Sequence, residues 1–136
     1  RCLVIGFGRI GQVLAARLHG LHARVTVAAR RSESRAMASA LGFGCDSPEG
    51  YPLGLGSYDC IFNTVPAPVL READLHAIRP DALILDLASR PGGLAPGLTP
   101  PAQPLYLTAP GLPGKCAPRT AAEILKTYML SVLKTI

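Results

Sequence analysis

The most constraining feature of this chain is a run of six residues near its start, Gly6-Phe7-Gly8-Arg9-Ile10-Gly11. Before it, residues 2–5 are continuously apolar and stop at Gly6, which suits a strand buried on both faces of a parallel sheet. After it, Ile10, Val13, Leu14, Leu18 and Leu21 recur at helical spacing, with Gln12, Arg17 and His19 on the other face. A G-x-G-x-x-G pattern says little alone, because glycines are common in turns. Between a strand and a helix it describes the turn that receives a dinucleotide pyrophosphate. Gly6 allows the tight turn, Gly8 lets the backbone approach the phosphates, and Gly11 lets the helix pack close to the strand. The helix start adds N–H donors and a partial positive charge. Gly6, Gly8, Arg9, Ile10 and Gly11 are therefore candidate cofactor-binding residues.

Strands and helices continue to alternate. A second strand is expected over 25–29, and Ser32 can cap a helix over 33–41 that stops at Gly42. Residues 43–57 contain Pro and Gly in quick succession and read as a short strand near Phe43 followed by irregular loop. Further strands are expected over 58–65 and 82–87, with a short helix over 70–78 between them. Residues 91–104 are dense in Pro and Gly and read as loop before a last strand over 105–108. Pro118 sits in the first turn of a terminal helix whose apolar face, Ile124, Leu125, Met129, Val132 and Leu133, is expected to close the domain. This rhythm implies an α/β fold, a Rossmann-type doubly wound parallel sheet, with one dinucleotide-binding domain over residues 1–136.

At 136 residues, 49% of them hydrophobic, the chain can bury one core. It opens inside the first strand without an initiator Met, and it has room for only one of the two lobes between which such enzymes close their active site. A fragment of a larger two-domain chain is expected. No apolar run has the length of a membrane span and no signal sequence is evident, so the expectation is a cytoplasmic protein without a membrane partner. Cys2, Cys45, Cys60 and Cys116 lack the close pairing that zinc needs and read as buried free thiols, with no metal site. The net charge of +5 is spread out with few aromatics between the cations. This disfavours nucleic acid and favours small anions as partners.

Cofactor choice is written after the second strand. NAD-selective sites place an Asp or Glu there to accept hydrogen bonds from the adenosine ribose. This chain has no carboxylate before Glu33 and carries Arg30, Arg31 and Ser32 instead. Two guanidinium forks and a hydroxyl suit a 2'-phosphate, so NADP is the expected cofactor and NAD the alternative. At the carboxyl edge of the sheet, Asn63, Thr64, Val65 and Pro66 end one strand and can line the nicotinamide ribose, although polar residues also end strands for local reasons. Residues 86–93 end the next strand on the same edge. Residues 109–116 follow the last strand as a shaped Pro-Gly backbone. Ser89, Arg90, Gly114 and Lys115, with Arg119 nearby, are candidate substrate contacts through carboxylates. His19, His22 and His76 read as surface residues, and no catalytic acid or base stands out. The chemistry is then mostly the cofactor's.

Gly-Phe-Gly-Arg at 6–9, Asn-Thr-Val-Pro at 63–66, Asp-Leu-Ala-Ser-Arg-Pro-Gly-Gly at 86–93, Ala-Pro-Gly-Leu-Pro-Gly at 109–114 and Ala-Pro-Arg-Thr-Ala at 117–121 together resemble the A subunits of dipicolinate synthases. The resemblance spans nearly the whole chain. It implies a sporulation enzyme of dipicolinic acid biosynthesis, an oxidoreductase that converts a dihydrodipicolinate-type dicarboxylate to dipicolinate with a nicotinamide cofactor. It also implies a preceding amino-terminal domain, the B subunit of dipicolinate synthase as partner, and a homo-oligomer. The other readings are another NADP-dependent dehydrogenase, of the shikimate or methylenetetrahydrofolate type, and a non-catalytic nucleotide-sensing module.

Overall fold

The computed structural model describes residues 1–133; the side chains of Tyr128, Val132 and Leu133 fall outside the described set, so two members of the expected terminal apolar face do too. Six parallel strands form one sheet: β1 (Cys2–Ile5), β2 (Val25–Ala28), β3 (Gly44–Asp46), β4 (Cys60–Asn63), β5 (Leu83–Asp86) and β6 (Leu105–Thr108). Their order is β3-β2-β1-β4-β5-β6, the Rossmann arrangement of two halves diverging from β1 and β4. Between and after them come α1 (Arg9–Gly20), α2 (Ser32–Ala40), a 3-10 helix (Tyr51–Ser57), α3 (Glu72–Ala77), α4 (Leu112–Cys116) and α5 (Pro118–Leu133).

Strand alternation distributes the apolar residues over two cores. Val4, Val25 and Val27 meet Ala15 of α1 and Ala38 of α2 on one face. Leu3, Ile5, Ile61, Ile84 and Tyr106 meet Tyr51, Leu55, Leu75 and Ile78 on the other. β1 is buried at all four positions, as a central strand should be. Register places Ile5, Asn63, Asp86 and Thr108 side by side at the carboxyl ends of β1, β4, β5 and β6.

Several expectations are corrected. The expected α1 face holds in part: Leu14 and Leu18 are half-buried and pack on the core, but the fully buried positions are Gly11 and Ala15, and Ile10, Val13 and Leu21 are 58%, 61% and 77% exposed. A Cβ on Gly11 would run into the carbonyl oxygen of Gly6, so at this position the helix start lies too close to the turn after β1 for any side chain. The loop read over 43–57 contains the 3-10 helix, which delivers Tyr51 and Leu55 to the core. The Tyr51 hydroxyl donates to the Val69 carbonyl. Ser32 does not cap α2: the cap position is Arg31, without a side-chain hydrogen bond, and Ser32 is already helical. Ile124, Leu125 and Met129 of α5 are exposed, and among the described residues the helix packs on α4. Within residues 109–116, read as a shaped Pro-Gly backbone, residues 112–116 wind into α4. Of the cysteines, Cys2 is buried and Cys60 half-buried, but Cys45 and Cys116 are exposed. No described helix is long and apolar enough to cross a membrane.

Candidate functional site

The strand order reverses between β1 and β4, so the loops leaving these two strands diverge and open a crevice above their carboxyl ends. The glycine turn lies there. Gly6 has φ +96°, where an L side chain is strained, and its N–H donates to the Ala28 carbonyl at 2.8 Å. Across the crevice, Thr64 Oγ1 and Thr64 N both donate to the Ile5 carbonyl at 2.9 Å. A Cβ on Gly6 would collide with Thr64 and Val65, so this first glycine is demanded by β4 as well as by the turn. Gln12 Nε2 donates to the Phe7 carbonyl at 3.1 Å and holds the turn from the helix side.

Gly8 differs from its two companions. It is the exposed cap residue of α1, with ordinary φ, and a Cβ there would meet no atom within 4 Å. Folding therefore does not require glycine at this position, and the open space lies where a pyrophosphate would rest. No side chain caps the α1 start, and its first turn contains no acid. The orphan N–H groups of that turn, with exposed Arg9 and Ile10 beside them, are left for an anion. These residues fit a dinucleotide.

At the end of β2, Arg30, Arg31 and Ser32 are all exposed at the entry to α2. No carboxylate stands among them. Arg35, which sequence reasoning passed over, donates from Nη1 to the Ala29 and Arg30 carbonyls at 2.8 and 2.7 Å.

The loops after β4, β5 and β6 converge as expected, through a buried polar cluster. Asn63 is fully buried and Asp86 nearly so. Asp86 Oδ1 accepts from Asn63 Nδ2 at 2.8 Å and Ala88 N at 3.1 Å; Oδ2 accepts from Gly93 N at 2.7 Å and the Tyr106 hydroxyl at 2.5 Å. Asn63 also bonds Val65 N and the Val65 carbonyl, and Ala109 N donates to the Asp86 carbonyl at 2.8 Å. A Cβ on Gly93 would strike the Asn63 amide, which explains the second glycine of the 86–93 segment. Burial, then the bond to Asp86, push the Tyr106 phenol far above its ordinary value. The Asn63 side chain thus has its polar atoms committed inside the fold. It shapes the loop, and Thr64, half-buried Val65 and exposed Pro66 form the surface beside the glycine turn. Asp86 and Tyr106 were not singled out from sequence; an Asp at the end of an otherwise apolar strand was the available signal.

Ser89 and Arg90 are exposed on the loop held by Asp86, and Gly114 and Lys115 are exposed on α4. His19, His22 and His76 are exposed, with His19 edge-on to Phe43 at 5.6 Å.

No family model matches the chain. Among characterised proteins, it is 36% identical over 133 residues to the A subunit of dipicolinate synthase from Bacillus subtilis (strain 168), covering 98% of this chain. The chain is similar to that subunit over nearly its whole length. The crystal structure of the Bacillus subtilis protein superposes with a TM-score of 0.88 at 34% identity, over 98% of this chain and 45% of that one. The counterpart from Bacillus halodurans gives 0.86 at 32% identity, over 97% and 45%. This chain therefore spans less than half the length of the relatives it matches. The nucleotide-binding domain of glutamyl-tRNA reductase from Thermoplasma volcanium superposes at 0.61 with 21% identity, over 93% of this chain and 84% of that one. That likeness concerns the fold alone.

Proposed function

We propose that the chain is the NADP(H)-binding lobe of an oxidoreductase that converts a dihydrodipicolinate-type dicarboxylate to dipicolinate during sporulation, in the cytoplasm. The observation that carries the nucleotide reading is the uncapped α1 start at the strand-order reversal, with Gly8 opening onto free space. Arg30, Arg31 and Ser32 at the β2 end, without an acid, favour NADP over NAD. The likeness to the dipicolinate synthase A subunit supports the choice of substrate.

When bound, the nicotinamide supplies the hydride acceptor, and aromatisation of the substrate ring favours hydride loss. The protein's share is binding and orientation. The backbone of the glycine turn and the N–H groups at Arg9, Ile10 and Gly11 hold the pyrophosphate. Thr64, Val65 and Pro66 line the nicotinamide ribose, with Asn63 setting their backbone. Arg90 and Lys115 take the substrate carboxylates, and Ser89 and Gly114 contribute at the same rim. A facing lobe, the B subunit of the synthase, and assembly into a homo-oligomer complete the enzyme.

The test is steady-state kinetics on the complete two-subunit enzyme. Arg90→Ala and Lys115→Ala should each raise the substrate KM by roughly tenfold, with NADPH affinity changed less than about twofold. Unchanged KM and kcat in both variants would show that the substrate is held elsewhere. Nucleotide binding by the complete enzyme without any oxidation of the dihydrodipicolinate-type substrate would favour a sensing module.

A further inference from the structure

The turn that reads the adenosine end of the cofactor is held by a side chain outside it. Arg35 lies one helical turn into α2 and folds back so that Nη1 meets two successive backbone carbonyls, those of Ala29 and Arg30, at 2.8 and 2.7 Å. Ala29 is buried and Arg35 half-buried, whereas Arg30, Arg31 and Ser32 project into solvent. A charged donor shared by consecutive carbonyls fixes the orientation of the two peptide groups from which Arg30 and Arg31 spring. Without it the turn would depend on the Ala29 N–H bond to the Asp46 carbonyl, 3.1 Å, and on the start of α2.

The charge of Arg35 is also only weakly opposed. Among the described residues it forms no ion pair with a carboxylate. Glu49, whose carboxyl is lowered chiefly by a hydrogen bond with Ser47, feels Arg35 only as the weakest influence. A half-buried guanidinium bonded to the backbone of this turn adds positive potential to it.

We propose that Arg35 is a positioning residue for cofactor selectivity, holding the β2–α2 turn in the shape that presents Arg30, Arg31 and Ser32 to a 2'-phosphate. This rests on the NADP(H) reading above. Preorganisation of this kind raises affinity by removing the ordering that the ligand would otherwise impose. It acts only on the ligand that carries the phosphate. A merely structural Arg35 would affect NADPH and NADH alike.

Calorimetric titration of NADPH, NADH, adenosine 2',5'-bisphosphate and AMP into the wild-type protein, Arg35→Lys and Arg35→Ala separates these outcomes. Arg35→Ala should weaken NADPH and the bisphosphate about tenfold or more while NADH and AMP change by less than about twofold. Arg35→Lys, which keeps the charge without the planar fork, should fall between, and it carries the test if the alanine variant does not fold. Equal losses for phosphorylated and unphosphorylated ligands, or no loss for any, overturn the role assigned to Arg35. A wild-type protein that binds NADPH and NADH equally overturns the NADP(H) reading and this inference with it, whereas a wild-type preference that survives Arg35→Ala overturns the inference alone.

Discussion

The three glycines of the turn share a motif and answer to different forces. Gly11 is held to glycine by packing, because a Cβ there meets the Gly6 carbonyl oxygen of the neighbouring backbone. Gly11→Ala should therefore destabilise the protein by roughly 1–3 kcal/mol, the range for overpacking a tight contact. Gly8 meets nothing, so Gly8→Val should change stability by no more than about 1 kcal/mol, mostly through the weaker helix cap. Thermal or urea unfolding of both variants checks the contrast, and equal destabilisation would show that the turn is uniformly packed. Asn63 teaches the complementary lesson. In sequence it is a polar residue at a strand end, as a ligand contact would be, and only the neighbouring Asp86, Val65 and Gly93 reveal that its amide is engaged inside the fold.

At the level of elements, the strands and the glycine turn were legible because continuous apolar runs and abrupt glycines are strong local signals. The longer helices were legible in position but only partly in facing, and α4 was not read as a helix. In α1 the buried positions are Gly11 and Ala15, residues small enough for a close approach to β1 and therefore nearly silent in a hydrophobic pattern. The 3-10 helix was hidden because Pro52, Gly54 and Gly56 look like loop, while Tyr51 and Leu55 fill the core between them. The candidate site was legible where it depends on backbone, at residues 6–11, and where exposed cations cluster, at 30–32. The cluster joining β4, β5 and β6 was not, since Asn63, Asp86 and Tyr106 lie 20 or more residues apart and meet only through strand register.

Tyr106 of that cluster and Tyr51 elsewhere in the core give the fold a pH signature. The phenol of Tyr106 is raised by burial and its bond to Asp86, and the phenol of Tyr51 is pushed up to about 12 by burial, with a smaller push from Asp74. Unfolded tyrosines ionise at about pH 10, so above that pH the native state keeps protons that the unfolded chain loses. Stability from these groups is full below the unfolded value and falls as pH rises from there through the native values. Tyr106→Phe should cost about 1–3 kcal/mol at neutral pH through the lost bond to the carboxylate, and should flatten the alkaline decline. Denaturant melts from neutral to alkaline pH measure both; an unchanged neutral stability with the same alkaline slope would contradict the role given to this cluster.

The whole molecule is unevenly covered. Leu105 and Leu107, on the sheet face opposite Tyr106, are 53% and 45% exposed, and Ile10 and Val13 on α1 are exposed as well. The chain also spans 45% of the relatives it matches. If the nucleotide site lies within this lobe and the substrate groups on its rim, residues 1–136 alone should bind NADPH yet form no dipicolinate. Appreciable turnover by this chain alone would show that the active site is misplaced. If the turn at Gly6 to Gly11 receives the cofactor, titration of NADPH by calorimetry should separate the wild-type protein from Gly8→Val. Saturable wild-type binding is expected, with a loss of about 100-fold or more in a variant whose unfolding is nearly unchanged, because the added side chain fills only open space, into which a pyrophosphate would otherwise fit. Equal NADPH affinity in the two proteins would contradict it.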